Sequence, residues 1–363
     1  MDTPFQFDRY VTGKYFVGRK KDCELLAGHI AAGRNVVLCG VPKSGKMSLV
    51  MQTIQQMKAR GAELCVCNVR MPEVRNLQSF VRNYAESILN AVFPSRNAAV
   101  HAFAEISGGK SPDSYDSWSG DVDFAAELPY RLAAFSGKHT VLILDEFHNV
   151  DTRAGEVMLS AMEAAAEKHG NDADMVTVFM GSMENALEDI FFRKKFFWKN
   201  VERLDLSPLT DAEIADHVLR GFMAGGKVID RDLLQGVLRM FGNNMWYINN
   251  FFFICDSLSK GYISDITLSD AMSCMLSVHV PRFVRIMRDL TDYQVRMLRA
   301  VLDGVVKFST VDVIEKYDLS SSANVKRLKD ALMKKEIIRF DSHDEAMFLD
   351  PLFEYWLRNT YFG

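Results

Sequence analysis

The sequence of 363 residues predicts an α/β chain: a parallel sheet flanked by helices, a helical bundle, and a small unit of three helices with a β-hairpin. Three observations predict it. Short apolar runs such as Val141–Leu144 alternate with stretches of helical periodicity, as in βαβ units whose strands are buried on both faces. The first run, Val36–Leu38, leads into G-x-x-x-x-G-K at Gly40, Gly45 and Lys46. Leu49, Val50, Ile54 and Met57 then recur at helical spacing. From Tyr293 onward three helical segments precede two short strands joined at Ser342-His343-Asp344, the pattern of a winged helix. A chain of this length holds two or three domains.

Composition narrows the function classes. A hydrophobic fraction of 48% with 25% charged residues is that of a soluble globular chain, and a net charge of −4 gives no global argument for nucleic acid. The six cysteines (23, 39, 65, 67, 255, 274) contain no C-x-x-C pair, so neither a disulfide framework nor a cysteine metal site is expected. The N-terminus has no basic and apolar leader, and the apolar run at Phe251–Ile254 is too short for a bilayer. A cytoplasmic protein without a membrane partner is the expectation.

The elements follow in order. Tyr15-Phe16-Val17-Gly18-Arg19 precedes a helix with Leu25, Leu26 and Ile30 on its apolar face. That turn suits either wrapping of an adenine base by Phe16, Val17 and Arg19 or a hydrophobic staple. Next comes the glycine-bounded loop Gly40, Val41, Pro42, Lys43, Ser44 and Gly45, ending at Lys46. Backbone N–H groups, a helix N-terminus and an ammonium gathered there make a phosphate cradle. Met47 stands where this motif calls for Ser or Thr on Mg2+, and a thioether is a poor ligand for a hard cation. Ser48 is one residue late, about 100° around the helix.

A strand is expected over Ala62–Arg70, a helix over Leu77–Val92, a loop over Ser107–Asp123 and a helix over Phe124–Phe135. The apolar run Val141–Leu144 ends in Asp145-Glu146, two carboxylates at a strand's carboxyl end. Behind a phosphate loop, the first suits the Mg2+ shell and the second polarises an attacking water. The strand Met175–Ser182 ends in Gly181-Ser182, where the hydroxyl suits either a γ-phosphate contact or a helix cap. In Phe191–Asn200 aromatics flank Arg193, Lys194 and Lys195. Anchoring rings with a solvated cationic face is preferred there over an arginine finger. Val201–Leu206 is a fifth strand. Thr210–Val280 is helical, breaking near Gly225-Gly226 and Gly242, with the aromatics around Trp246 and Tyr247 as core.

The C-terminal unit carries thirteen Lys and Arg against eight Asp and Glu between Arg282 and Arg339, a basic stretch in an acidic chain. Ser321, Ser322, Asn324, Lys326 and Arg327 would face DNA on a recognition helix. Winged helices also dock proteins, so DNA and a protein both stand as partners.

Taken together, Phe16-Val17-Gly18-Arg19, the phosphate loop, LDEF at 144–147, MGS at 180–182 and LSPL at 206–209 resemble the archaeal-type AAA ATPase family. These are P-loop ATPases related to origin-recognition proteins and STAND NTPases, with many bacterial members. The phrases at 290–294 and 348–353 fit the same group. The resemblance implies an ASCE P-loop NTPase sheet with a helical lid and a C-terminal winged-helix domain, divided at 1–209, 210–285 and 286–363. It implies ATP and Mg2+ as cofactors, Lys46 on the phosphates, Asp145 on the metal, Glu146 as catalytic base and Ser182 as sensor. It leaves open a homo-oligomer. Three departures stand out: Met47 after Gly45-Lys46, Pro42-Lys43 where paired basic residues are usual, and Gly242-Asn243-Asn244 where a lid arginine is usual. Binding of ATP or ADP survives these more readily than hydrolysis. The alternatives to an active ATPase are therefore a nucleotide-held scaffold with little turnover and a DNA-binding regulator with a vestigial phosphate loop.

Overall fold

Five strands, β1 (Asn35–Cys39), β2 (Leu64–Arg70), β3 (His139–Asp145), β4 (Met175–Phe179) and β5 (Val201–Asp205), form one sheet in the order β2-β3-β4-β1-β5. Every pairing is parallel. The computed structural model describes residues 4–363 apart from 72, 74–75, 94, 108–120, 170–173, 198 and 342. The middle of β3 and all of β4 are buried residue by residue, which is why these strands read as unbroken apolar runs and not as alternation.

Contacts divide the chain into two units. One comprises Arg19–Val41 and Lys46–Ser207, and the other Met1–Gly18, Pro42–Gly45 and Pro208–Gly363. The first contains the sheet with helices α1 (Lys20–Ala31), α2 (Lys46–Ala59), α3 (Leu77–Val92), α4 (Arg96–Ile106), α5 (Val122–Ser136), α6 (Gly155–His169) and α7 (Glu184–Glu188). Local chemistry sets their starts. Asn76 Oδ1 accepts from the Ser79 N–H at 3.1 Å to open α3, and Asp121 Oδ1 accepts from the Asp123 and Phe124 N–H groups to open α5. Helix α4 was not foreseen, and most of the expected loop over 107–123 lies outside the described residues. Of the aromatics of the Phe191–Asn200 stretch, Phe191, Phe196 and Phe197 are core, Phe192 is exposed and Trp198 lies outside the described residues. Phe191 and Phe196 pack on Phe147 and Phe179 with ring centroids 5.0–6.1 Å apart. Arg193 stays exposed, and Lys194 pairs with Asp151 and Asp189.

The second unit runs α8 (Asp211–Ala224), β6 (Val228–Ile229), α9 (Arg231–Met240), α10 (Met245–Leu258), β7 (Tyr262–Ile263) and α11 (Asp265–Arg288). It continues through α12 (Asp292–Leu302), α13 (Val311–Lys316), α14 (Ser322–Lys334), β8 (Ile338–Phe340), β9 (Ala346–Phe348) and α15 (Pro351–Trp356). Capping boxes at Thr210/Glu213, Ser264/Thr267 and Thr291/Gln294 start α8, α11 and α12. The expected division at 285/286 falls inside α11. Phe283 and Met287, on either side of it, are buried in one continuous core with Leu298, Leu332 and Phe353. Residues up to Gly18 group with this unit because Phe5, fully buried, packs its ring 4.8 Å from Phe222 and 5.9 Å from Phe252. Helices α12–α14 and the antiparallel β8–β9 pair supply the expected winged-helix pattern.

One buried carboxylate ties α5 to α6. Glu127 of α5, 8% exposed, takes Lys168 at 2.6 Å, Arg131 at 2.7 Å and His169 at 3.4 Å. Burial raises its pKa, but the hydrogen bonds from Lys168, Arg131 and His169 outweigh that and hold the carboxyl at about 2. We expect Glu127→Ala to cost about 1–2 kcal/mol at pH 7, because it removes charge-assisted hydrogen bonds while Lys168 and Arg131, 60% and 38% exposed, keep their solvation. A carboxyl with a depressed folded pKa stabilises above its unfolded value near ~4.3 and loses that as pH falls through about 2. Urea unfolding of wild type and variant should therefore diverge at pH 7 and converge as pH approaches about 2; equal midpoints at pH 7 would show the cluster to be ornamental.

Candidate nucleotide site

The strand order decides what meets at the sheet's carboxyl edge. Because β4 lies between β1 and β3, the ends of β1 and β3 are separated by about 10 Å, two strand spacings. Lys46 follows β1 as the first residue of α2, Asp145 closes β3 and Ser182 follows β4. Lys46, Asp145, Glu146 and Ser182, all within the first unit, thus lie at one edge of one sheet, at the carboxyl ends of its strands.

Lys46 is 9% exposed, and its ammonium donates to the carbonyls of Gly40 at 2.6 Å and Val41 at 3.1 Å. Burial lowers its pKa, opposed by Glu184 first and then by Cys39, Asp145 and Glu146. Asp145 is pushed the other way. Burial and the neighbouring Glu146 raise it, against the Glu146 N–H, which donates to Asp145 Oδ1 at 2.9 Å, and against Arg70 and Lys46. A buried cation facing half-buried carboxylates is a site built to have charge added to it.

Glu146 adopts a left-handed backbone, φ 54°, at the start of a short 3-10 turn (Phe147–Val150). That conformation is rare outside glycine and asparagine and redirects the carboxylate off the strand axis. Its Oε2 accepts from the Ser182 hydroxyl at 2.6 Å and from the Ser182 N–H at 3.4 Å. His148 Nε2 lies 3.4 Å from the same oxygen. Of these neighbours, His148 and Glu184 were missed by sequence reasoning. The signal for His148 was its place two residues beyond Glu146.

Met47 sits half-buried, its sulfur 4.0 Å from the Asn68 amide nitrogen, and Ser48 is half-buried one residue further along α2. Mg2+ fits this donor set in part. Asp145 supplies a hard oxygen and Ser48 a hydroxyl, while Met47 offers only soft sulfur. Among the described residues no group of three or more His, Cys, Asp and Glu is arranged to hold a metal ion, so Mg2+ would depend on the phosphates for most of its ligands.

Within the second unit, the loop tip makes its own contacts. Lys43, at φ 61°, puts its ammonium 3.4 Å from the Trp246 ring centroid and 4.9 Å from that of Tyr247. Asn244, in the Gly242-Asn243-Asn244 stretch, donates its amide to the Pro42 carbonyl at 3.3 Å and accepts from the Trp246 N–H at 3.0 Å. Burial, and then Asp350 beside it, push the Tyr247 phenol up; Asp350 in turn caps α15 and pairs with Arg282. Val17 packs against this unit's core, while in the first unit Arg19 donates Nε to the Ser207 carbonyl at 3.1 Å. Phe16 is half-buried and closes a 3-10 turn (Gly13–Tyr15) with its N–H on the Gly13 carbonyl.

On α14, Lys326 and Arg327 are exposed. Ser321 is occupied as the helix cap, and the Asn324 amide donates to the Leu319 carbonyl at 3.1 Å.

Comparison with known proteins agrees with this architecture. Residues 281–359 match a family model described as a probable winged helix domain. Among solved structures, the Walker-type ATPase of Pyrococcus abyssi superposes with a TM-score of 0.68 at 13% identity, over 98% of this chain and 99% of that one. The ADP form of the Aeropyrum pernix ORC2 protein gives 0.60 at 12% identity, over 96% and 93%. The Aeropyrum pernix ORC1 protein in complex with DNA gives 0.51 at 14%, over 96% and 94%. At these identities the likeness is one of fold: a parallel α/β sheet with a C-terminal winged helix, as the resemblance implied. No curated protein matches the sequence significantly.

The turn ahead of the sheet yields a prediction. Gly18 has φ 61°, and a Cβ there would lie 2.5 Å from Leu209 Cδ2 and 2.7 Å from Glu213 Oε1, the carboxylate of the α8 capping box. We expect Gly18→Ala to cost about 2 kcal/mol, from the left-handed backbone and the displaced cap together. A urea midpoint equal to that of wild type would show that the cap yields freely.

Proposed function

We propose that the chain is a P-loop ATPase of the origin-recognition-like class, taking ATP with Mg2+ at the carboxyl edge of its sheet and coupling nucleotide state to its winged helix. The observation that carries this is the gathering of a buried Lys46, Asp145, Glu146 and Ser182 on one sheet edge by the β4 insertion. When bound, Mg2+ would neutralise phosphate charge and orient the triphosphate. Lys46 would leave the Gly40 and Val41 carbonyls for the phosphate oxygens. Asp145 and Ser48 would face the metal's shell. Glu146 would take a proton from the attacking water as its oxygen bonds the γ-phosphorus and the β–γ bridging bond breaks, giving ADP and phosphate. Ser182 would fix the carboxylate in place.

For the coupling, the second unit offers a continuous set of contacts. Lys43 of the phosphate loop rests on Trp246 and Tyr247, and Tyr247 adjoins Asp350, the cap of the last helix of the winged-helix unit. Duplex DNA is the partner favoured by the exposed Lys326 and Arg327 on α14. A protein partner in its place would bind with a weak salt dependence.

Met47 favours a second reading, a nucleotide-held scaffold that scarcely turns over, since its sulfur stands where a hard oxygen belongs. ATP binding and Mg2+-dependent hydrolysis of wild type, Lys46→Ala and Met47→Thr separate the two. Lys46→Ala should weaken ATP binding about 10- to 100-fold, the worth of a charge-assisted contact of roughly 1.5–3 kcal/mol. Wild-type turnover that Lys46→Ala abolishes supports an ATPase. Tight binding without turnover, raised at least about tenfold by Met47→Thr, supports the scaffold. Unchanged ATP affinity in Lys46→Ala would sink both.

A further inference from the structure

We infer that His148 is a positioning residue for Glu146, fixing with Ser182 which carboxylate oxygen faces the reacting water. This rests on Glu146 being the general base. The Ser182 hydroxyl, at 2.6 Å, and His148 Nε2, at 3.4 Å, both address Oε2, so the two converge on one oxygen and leave Oε1 to accept the water's proton. The His148 side chain is 8% exposed, and its Nδ1 is buried with no hydrogen-bond partner among the described residues. A proton on Nδ1 would have no acceptor, whereas a proton on Nε2 meets a carboxylate oxygen. The neutral ring is therefore held in the Nε2–H tautomer by what surrounds it. At 3.4 Å the contact is electrostatic and not a full hydrogen bond, which suits a group that steers a carboxylate without taking its proton.

The neighbouring glycine makes the arrangement specific. A Cβ on Gly181 would lie 2.7 Å from His148 Nδ1. The residue before Ser182 thus has no side chain because the imidazole occupies that space. Burial lowers the His148 pKa, Glu146 opposes that and Lys46 adds to it, so both charges of the site act on the ring.

Two measurements on the full-length protein test this. In the first, the imidazole Cε1–H NMR signal of His148, assigned by its loss in His148→Gln, should shift in Glu146→Gln and in Ser182→Ala. A signal that stays put in both would overturn the proposal, whether or not the protein hydrolyses ATP. In the second, His148→Gln should keep ATP affinity within about twofold and lower kcat about tenfold, the scale of a misoriented catalytic group. Gly181→Ala should lower kcat in the wild-type background and add nothing in the His148→Gln background. Equal losses in affinity and kcat, or additive effects of the two substitutions, would make His148 merely structural. A wild type without turnover would count against the proposed ATPase, and the NMR shift would still decide whether His148 and Glu146 are coupled.

Discussion

A parallel sheet buried on both faces must keep its polar ends where the strands stop, and that constraint organises the first unit. With β3 and β4 lined by apolar side chains, the carboxylates and the ammonium are admitted only at the carboxyl edge. There the intervening β4 leaves room between Lys46 and Asp145, and each charge is desolvated enough to feel the others. Asp145 raised and Lys46 lowered are two sides of one shortage of water. A phosphate ligand with its cation would relieve both shifts together.

The same edge shows how an acid is kept ready without being spent. Glu146 is turned off its strand by a left-handed backbone, an arrangement that costs on the order of 1 kcal/mol and persists because Phe147, fully buried among Phe179, Phe191 and Phe196, fixes the following residue. The aromatic cluster therefore reaches the site through the chain itself: core packing on one residue dictates the direction of the carboxylate on the one before it.

How much of this could be read from the sequence depended on how local the cause was. The strand at Val36–Leu38, the loop to Lys46 and the run ending in Asp145-Glu146 were legible because apolar runs and glycine spacing are local signals. So were α12–α14 and the hairpin after them, where Thr291 and Ser321 mark helix starts. Of the aromatics of Phe191–Asn200 read as anchors, Phe191, Phe196 and Phe197 are buried, whereas Phe192 is exposed. Contacts made across long sequence separation were not legible: Asn244 on the Pro42 carbonyl, Lys43 on the Trp246 ring, and Phe5 in the core of the C-terminal unit. His148 escaped because its meaning depends on Gly181 and Ser182, more than thirty residues away. Helix α4 escaped because its apolar face is mostly small alanines, which give periodicity little amplitude.

Helix α11 has a mechanical consequence. It runs unbroken for 24 residues, about 36 Å, starting in the helical bundle and ending with Phe283 and Met287 packed among residues of the winged helix. Pro281 sits inside it, where the missing N–H makes that turn the easiest to bend. Such an element is a rod with one soft joint and not a tether. A tilt of about 10° at one end would carry the other through about 6 Å, close to one helical turn. Whatever the winged helix holds is therefore joined to the bundle by leverage.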